Sequence, residues 1–298
     1  MSTSTRRACR RLRAAASAVA VLMTLTGCTA VKHGEATRMP GVEVPAETPA
    51  PETTEPAAPA ALADSFAGLD LPGGQVGIAV TDGTTTLTFG DWTRGPAWST
   101  IKVPLSIAAV RHAQQSQSDA PGADIASAIT QSDNAAADRL WNGLGGGEQA
   151  AQAVQQVLAD AGDSETVVQP WQVRPPFSPF GQTDWPLSQA ARLAFELPCL
   201  AGSESVLTQM RQLGGNQQWG LAVDDGVAAK GGWGPDTSGG YLVRQVALIP
   251  SGEATIGVAM AAYPANGSFD TGTSMLTALG RWLDEHRAEL PAGTCKPR

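Results

Sequence analysis

A serine and a lysine in the first half of the chain have the spacing of a catalytic pair. Ser99 and Lys102 are three positions apart where a helical segment begins, so both side chains lie on one face about one turn apart. A lysine amine can take the proton of a serine hydroxyl when burial or a neighbouring cation lowers its pKa, and a nucleophile then forms without histidine. The same spacing also occurs at ordinary exposed helix starts, so the pair alone does not establish catalysis.

Two further motifs carry polar groups that could complete such a site. A Ser-Asp-Asn sequence begins at Ser132, where its residue types are also the favoured caps of a helix start. Lys230 is followed by two glycines and Trp233, a pattern that alone indicates a strand ending in a glycine turn. Only four lysines occur in the chain, and the two inside the expected folded region both belong to these motifs.

The elements around these motifs predict a mixed fold with helices inserted between strands. Apolar patterning predicts strands at 75–81, 84–89, 227–231, 241–249 and 255–262. Helical segments are predicted at 99–115, 134–143, 148–161, 187–197, 203–213 and 271–288. If the first two strands join the last three, the fold is α+β, with a five-stranded antiparallel sheet flanked by helices and an all-helical lobe. Five prolines within 164–186 predict a long loop without regular structure.

The N-terminal segment indicates export and anchoring. Five arginines at 6–13 precede an apolar stretch at 14–27, which is too short to span a bilayer and has the length of a signal-peptide core. The stretch runs into Leu-Thr-Gly before Cys28, and this sequence resembles a bacterial lipobox. We therefore expect a lipoprotein signal peptide at 1–27 and a lipid on Cys28; the alternative is a plain signal peptide with a chance cysteine. The export route, Sec or twin-arginine, stays open.

A tether is expected between this anchor and the folded domain. Residues 28–60 are rich in proline and glutamate and contain almost nothing that could form a core, which predicts an extended, solvated spacer. The domain then spans 61–298 and is long enough to bury a substantial core. A lipid-anchored domain on such a tether is expected on the outer face of the bacterial cell membrane, near the cell wall.

The net charge argues against nucleic-acid binding, and the cysteine content leaves open whether Cys199 and Cys295 form a disulfide. The formal net charge of −8 becomes −13 without the five N-terminal arginines, so no basic face is expected for nucleic-acid phosphates. Cys199 and Cys295 are expected in an oxidising compartment, where they either form a disulfide or remain free. With three histidines and no Cys-x-x-Cys sequence, we expect no metal and no other cofactor.

Taken together and in this order, the three motifs resemble the active-site set of the penicillin-recognising serine enzymes, most closely the class A β-lactamases. The resemblance covers about 61–290 and implies a β-lactamase/transpeptidase-like fold, with the loop at 164–186 in the place of that family's Ω-loop. It also implies Ser99 as the acyl-forming nucleophile, Lys102 as its base and Ser132 as the proton relay to the leaving nitrogen.

The resemblance further implies a set of substrate-binding residues around the nucleophile. The backbone N–H groups of Ser99 and Trp233 would form the oxyanion hole, which stabilises negative charge on the reacting carbonyl oxygen. The other members of the set are Asn134 for the substrate amide, Lys230 for positive charge near the substrate carboxylate, Gly232 in the same motif, and Arg244, one strand beyond, for the substrate carboxylate.

One departure from the family pattern concerns hydrolysis of the acyl-enzyme. The family has a deacylating glutamate after an aromatic residue early in the Ω-loop, and the equivalent position here is Gln172 after Trp171. A glutamine cannot accept a proton from water, so we expect acylation to survive and deacylation to slow. Glu165 and Asp184 are the nearby loop carboxylates that could substitute, although solvated loop charges are the simpler interpretation of both.

Two other departures concern the shape of the site. Gly231 stands where the family has a threonine or serine whose hydroxyl helps to hold the substrate carboxylate. Only 33 positions separate Ser99 from Ser132, fewer than is usual in the family, which predicts a shortened wall and a more open cleft.

The sequence thus favours an exported, lipid-anchored serine hydrolase that forms an acyl-enzyme with β-lactams or with D-Ala-D-Ala-like peptidoglycan stem peptides. We expect a monomer that binds no nucleic acid. The alternative is a catalytically degenerate lipoprotein that binds the cell wall or a partner on the same fold. A Ser-His-Asp esterase is disfavoured, because only His112 and His286 lie in the domain and no G-x-S-x-G sequence occurs.

Overall fold

The computed structural model describes residues 59–296. The predicted signal peptide at 1–27, the lipidation site at Cys28 and the tether up to residue 58 lie outside the described residues. Within the described range, no helix combines the length and the apolar character that crossing a membrane requires.

Within residues 59–296, seven strands form two sheets. Their bounds are β1 (Gly74–Thr81), β2 (Thr86–Gly90), β3 (Arg94–Pro96), β4 (Asp184–Pro186), β5 (Ala228–Pro235), β6 (Tyr241–Ser251) and β7 (Ala254–Pro264). Five of them form an antiparallel sheet in the order β2-β1-β7-β6-β5, and β3 pairs with β4 in a separate two-stranded sheet. The N-terminal pair therefore joins the three late strands, as the sequence predicts.

Eight α-helices surround or extend this sheet within the described range. Their bounds are α1 (Ala60–Ala67), α2 (Lys102–Gln115), α3 (Gly122–Thr130), α4 (Asn134–Gly143), α5 (Gly147–Asp160), α6 (Leu187–Glu196), α7 (Glu204–Met210) and α8 (Phe269–Glu285). Helices α6 and α8 contact the sheet, whereas α2, α3, α4 and α5 pack on one another as a helical lobe. These contacts confirm the predicted α+β architecture.

The central strands are buried on both faces because α6 and α8 cover opposite sides of the sheet. A Cβ at Gly257 of β7 would lie 2.3 Å from the carbonyl oxygen of Ala191 in α6, so only glycine allows this close approach. On the other face, Val243 of β6 lies against Gly272 of α8. Because alternate residues of a strand point to opposite faces, such strands are apolar at nearly every position.

The structure adds elements that the sequence pattern did not predict. Helices α1 and α3 are short, and β3 and β4 have three residues each, too few to give a periodic signal. The expectation of no regular structure within 164–186 is wrong at its end, where a short 3₁₀ turn at Phe180–Gln182 precedes β4. Strand β4 exists only because β3 pairs with it, so local sequence does not reveal it.

A disulfide joins the C-terminal segment to the end of α6. Cys199 and Cys295 are bonded, with their Cα atoms 6.0 Å apart. The segment is held a second time by Gly293, whose backbone N–H donates to the carbonyl oxygen of Thr255 at 3.0 Å. The chain end is therefore fixed to the sheet as well as to the helices.

Candidate active site

The turn that carries Ser99 is a short 3₁₀ helix, Trp98–Ile101, that leads directly into α2. Trp98 has a φ of 49°, a left-handed conformation that is unfavourable for a bulky residue and is held by its surroundings. Its ring packs edge-on against Phe177, with ring centroids 5.1 Å apart. Thr100 anchors the other side of the turn by donating its hydroxyl to the carbonyl oxygen of Ala97 at 2.5 Å. The half-buried Ser99 is thus presented from a constrained turn.

Lys102 is buried in the first turn of α2 and reaches the Ser-Asp-Asn segment. Only 1% of the residue is exposed, and Nζ donates to the carbonyl oxygen of Ser132 at 2.7 Å and to Oδ1 of Asn134 at 2.8 Å. Burial lowers the pKa of Lys102 to about 8, against the opposing effect of the negative charges of Asp133 and Asp138. A substantial share of the amine is therefore neutral near neutral pH and able to accept a proton.

Lys230 on β5 approaches the same serine from the sheet. Its Nζ donates to Oγ of Ser132 at 3.0 Å, and the residue is fully buried. Burial, and then repulsion from Lys102, lower the pKa of Lys230 well below its usual value. Ser132 itself has a φ of 56°, so its backbone also adopts the left-handed conformation. The helical lobe and the sheet therefore meet at one serine, with one lysine on its carbonyl oxygen and the other on its hydroxyl.

Gln217 holds this junction together, and sequence reasoning missed it. The side chain is fully buried, and its Oε1 accepts from Nζ of Lys230 at 2.5 Å and from the backbone N–H of Gly231 at 3.2 Å. Its Nε2 donates to the carbonyl oxygens of Ile129 and Thr130, at 2.9 and 3.0 Å, at the end of α3. No sequence signal identifies Gln217, because it lies in a glycine-rich turn among other polar residues.

Different neighbours exclude a side chain at each of the two glycines that follow Lys230. A Cβ at Gly232 would lie 2.9 Å from the backbone nitrogen of Ser99 and 2.8 Å from that of Thr100, so glycine lets β5 pass directly beside the turn of the nucleophile. A Cβ at Gly231 would lie 2.6 Å from the ring of Trp219. A threonine in place of Gly231 would therefore collide with the indole of Trp219, which explains why the hydroxyl expected from the family pattern is absent.

These groups line one cleft of about 360 Å³ between the lobe and the sheet. Of the predicted site residues, the structure brings five to the cleft: Ser99, Lys102, Ser132, Asn134 and Trp233. Lys230 and Gly232 lie directly behind them through the contacts above. The cleft is also lined by Asp138 and by loop residues 176–178, which the sequence analysis did not predict. Among residues 59–296, no group of three His, Cys, Asp or Glu side chains is arranged to hold a metal ion.

The predicted role of Arg244 as a substrate-carboxylate ligand requires correction. The residue is 1% exposed, and its guanidinium donates to the carbonyl oxygens of Gly95, Pro96 and Trp185 in β3 and β4. Arg244 lies opposite Gly232 in the sheet register and hence on the same face. The short two-stranded sheet accepts hydrogen bonds from the two terminal nitrogens of Arg244, whereas its buried Nε has no partner among the described residues. Burial lowers its pKa to about 10. The guanidinium supports the wall of the cleft and does not line it.

Gln172 also lies outside the cleft lining, so its assignment to the deacylating position requires correction. Its side chain is exposed and its Nε2 donates to the carbonyl oxygen of Phe177 at 2.9 Å. Glu165 is exposed, and Asp184 forms an exposed ion pair with Arg94 at 2.9 Å. Neither carboxylate lines the cleft. The path of the loop between its ends is set by tertiary contacts, so counting residues along it does not locate the side chains.

The comparisons with known proteins agree with this architecture. No protein-family model matches the sequence, and no curated protein matches it at a significant level. Among solved structures, the class A β-lactamase of the last common ancestor of Gram-negative bacteria is 21% identical with a TM-score of 0.59 and covers 76% of this chain and 99% of its own. The class A β-lactamase from Mycobacterium abscessus is 17% identical with a TM-score of 0.57 and covers 77% and 97%.

The TLA-3 extended-spectrum β-lactamase is 14% identical with a TM-score of 0.63 and covers 76% of this chain and 98% of its own. Because the matched structures are covered almost completely, the similarity extends over the whole described domain. At these identities it shows the fold alone. The chain therefore has the class A β-lactamase fold, which confirms the fold that the motifs imply.

Proposed function

We propose that this protein is a serine hydrolase that forms an acyl-enzyme at Ser99 with β-lactams or with D-Ala-D-Ala-like peptidoglycan stem peptides. The observation that carries the proposal is the convergence of two buried lysines on Ser132, in the same cleft as Ser99. Burying two lysine side chains beside one another is costly, and such strongly perturbed groups concentrate at functional sites. The β-lactamases of the same fold support the substrate class.

In the proposed acylation step, the neutral amine of Lys102 takes the proton of the Ser99 hydroxyl, and Oγ forms a bond with the substrate carbonyl carbon. The backbone N–H groups of Ser99 and Trp233 stabilise the negative charge on the carbonyl oxygen. The C–N bond then breaks. The leaving nitrogen receives the proton of the Ser132 hydroxyl, which the ammonium of Lys102 replaces, while Lys230 orients Ser132 through the 3.0 Å contact to its Oγ.

The proposal includes the cellular setting predicted from the N-terminal residues: export, a lipid on Cys28 and a monomer on the outer face of the cell membrane. It rests on the order of basic segment, apolar segment and lipobox-like sequence before Cys28. Metabolic labelling with a clickable fatty acid checks the anchor. Incorporation should occur in the wild-type protein and disappear in Cys28→Ala, and absence of label from the wild-type protein would contradict it.

A second candidate is a non-catalytic lipoprotein that binds the cell wall or a partner. One observation favours it, the withdrawal of Arg244 from the cleft, because substrate carboxylate recognition then depends on fewer cations. The retention of the buried lysine pair argues against it, since a binding protein has no need of a lysine whose pKa is lowered to about 8.

Intact-protein mass spectrometry separates the two candidates. The purified protein in detergent is mixed with a penicillin, a cephalosporin or a D-Ala-D-Ala-ended peptide ester and sampled over time beside Ser99→Ala. We expect an adduct with the mass of the acyl group that requires Ser99, or loss of the reagent at a rate that requires Ser99. Neither adduct nor reagent loss with all three probes would overturn the hydrolase proposal and favour the binding protein.

A further inference from the structure

An acidic side chain lies in the cleft that the acylation step does not use. Asp138 is on α4, four residues after Asn134, and this spacing puts both side chains on the same helix face. Both line the cleft together with Ser99 and Lys102. Within the described part of the chain, Asp138 is the one acidic residue in that lining. Since Gln172 has no carboxylate and lies outside the cleft lining, Asp138 is the acidic group that the described residues present to the cleft.

The carboxylate is held in a defined orientation. Its Oδ1 accepts a hydrogen bond from the hydroxyl of Ser178 at 2.7 Å, across the cleft from the loop at 176–181. Among residues 59–296, no protein group donates to its other oxygen, so that oxygen is available to water. The residue is half-buried, which keeps the carboxylate accessible from the cleft.

The neighbouring acidic residue, Asp133, caps a helix instead of lining the cleft. Asp133 caps α4, where its carboxylate accepts from the backbone N–H of Ala136 at 3.0 Å and from the hydroxyl of Ser127 at 3.1 Å. Its donors are therefore protein groups, and it is not among the residues that line the cleft. Both carboxylates act electrostatically on the buried amine of Lys102, and Asp133 has the larger effect, but only Asp138 of the two lines the cleft.

We propose that Asp138 is the general base that activates water for hydrolysis of the acyl-enzyme at Ser99, with Ser178 as the positioning residue that orients its carboxylate. This inference rests on the proposed function and specifies its second half. The site thereby replaces the missing loop glutamate with a carboxylate from a helix of the lobe.

The proposed step balances without a further reactant. Asp138 takes one proton from water as the water oxygen forms a bond with the acyl carbon, and the carbonyl oxygen becomes negative in the oxyanion hole. Collapse of this intermediate breaks the bond between the acyl carbon and Oγ of Ser99. The serine oxygen regains a proton, which Asp138 returns through the amine of Lys102, and the acid product leaves.

Pre-steady-state kinetics with a chromogenic cephalosporin, combined with intact-protein mass spectrometry, test the inference. The variant Asp138→Asn keeps the size of the side chain and an acceptor for Ser178 but cannot take a proton from water. We expect acylation within a few-fold of the wild-type rate and deacylation slowed by about 10²-fold or more, so that the acyl-enzyme accumulates. Asp184→Asn, which neutralises an exposed carboxylate of β4 outside the cleft, is the matched control and should behave as the wild-type protein.

Further measurements distinguish a general base from a merely structural carboxylate. Hydroxylamine attacks esters without a general base, so it should release the acyl group from Asp138→Asn and restore turnover. Ser178→Ala should slow deacylation but not acylation. Ser178→Thr, which keeps the hydroxyl, should deacylate at about the wild-type rate. A thermal melt of each variant reports on folding.

Three outcomes overturn the inference. Equal deacylation by Asp138→Asn and the wild-type protein would exclude Asp138 as the base. A parallel loss of acylation, deacylation and thermal stability in Asp138→Asn would assign it a structural role. A permanent wild-type adduct would show that no base operates, while leaving the proposed acylation at Ser99 intact. The absence of both adduct and reagent loss in the wild-type protein would instead refute the proposed function itself.

Discussion

Burial lowers the pKa values of Lys102 and Lys230 and so determines which protonation state each lysine has. An ordinary lysine has a pKa of about 10.4, so fewer than about one in a thousand are neutral at pH 7. With the pKa of Lys102 lowered to about 8, about a tenth are neutral at the same pH. Burial, and then repulsion from Lys102, lower the pKa of Lys230 as well, so two full positive charges at this junction are disfavoured.

The lowered pKa predicts a pH profile for acylation. The neutral amine is the form that accepts the serine proton, and it predominates above the pKa. The rate constant of adduct formation should therefore rise about tenfold per pH unit below about 8 and level off above it. Quench-flow with mass detection between pH 6 and 9 measures this profile, and a rate constant that does not change over this range would contradict the role of Lys102.

The contact between β5 and the Trp98–Ile101 turn fixes the relative position of the two backbone segments that carry the proposed oxyanion hole. The strand passes so close that its Gly232 has no room for a Cβ beside the backbone nitrogen of Ser99. Gln217 fixes the same strand to the end of α3, so the strand, the turn and the lobe keep one relative position. The proposed oxyanion donors would therefore be positioned before substrate arrives, which is the condition for effective electrostatic stabilisation.

A methyl group at the strand contact should disturb this arrangement. In Gly232→Ala the new Cβ would meet two backbone nitrogens within 3 Å, so the turn must shift away from β5. Because losing one oxyanion donor typically costs about 10²- to 10³-fold in rate, we expect acylation to fall by about 10²-fold. Adduct formation is measured by mass spectrometry at matched reagent concentration.

Gly122→Ala is the control for this substitution, since a Cβ at that position of α3 meets nothing within 4 Å. Its acylation rate should equal that of the wild-type protein. Wild-type acylation in Gly232→Ala, with unchanged folding, would show that the close contact between β5 and the turn is not needed for catalysis.

The disulfide acts on the molecule as a whole, because it closes a loop of nearly the whole second half of the domain. Its cysteines are 96 positions apart, and the loop contains β5, β6, β7 and α8. Cross-linking residues so far apart restricts the unfolded chain more than the folded one. Neither cysteine lines the catalytic cleft, so the bond is a stability element and not part of the chemistry.

Removal of the disulfide should lower stability without abolishing acylation. We expect the double variant Cys199→Ser with Cys295→Ser to lose about 2–4 kcal/mol in free energy of unfolding, measured by urea denaturation. Reduction of the wild-type protein should cause a similar loss, while the same reductant should not affect the double variant. Equal stability of the oxidised wild-type protein and the double variant would contradict this account.

Sequence alone determined the features that depend on short spacing or on periodic patterning. The interval of Ser99 and Lys102 at a helix start, the Ser-Asp-Asn segment at the next helix start and the antiparallel sheet all follow from local rules. Each of these is set by neighbours within a few residues or by the period of a strand. That the strands form one sheet of a known fold, and that these residues share one cleft, was implied by the resemblance of the three motifs to the class A β-lactamases.

Only the tertiary structure decided where the long side chains and the loop residues lie. Arg244 was placed on the correct strand, but β3 and β4 withdraw its guanidinium from the cleft. Gln172 was counted along a loop whose path depends on contacts elsewhere, and Gln217 reaches Lys230 from a turn outside the three motifs. Asp138 follows Asn134 by one helical turn, but only the structure shows that it lines the cleft. Burial and partners of a flexible polar side chain depend on what packs against it, and spacing along the chain carries no record of that.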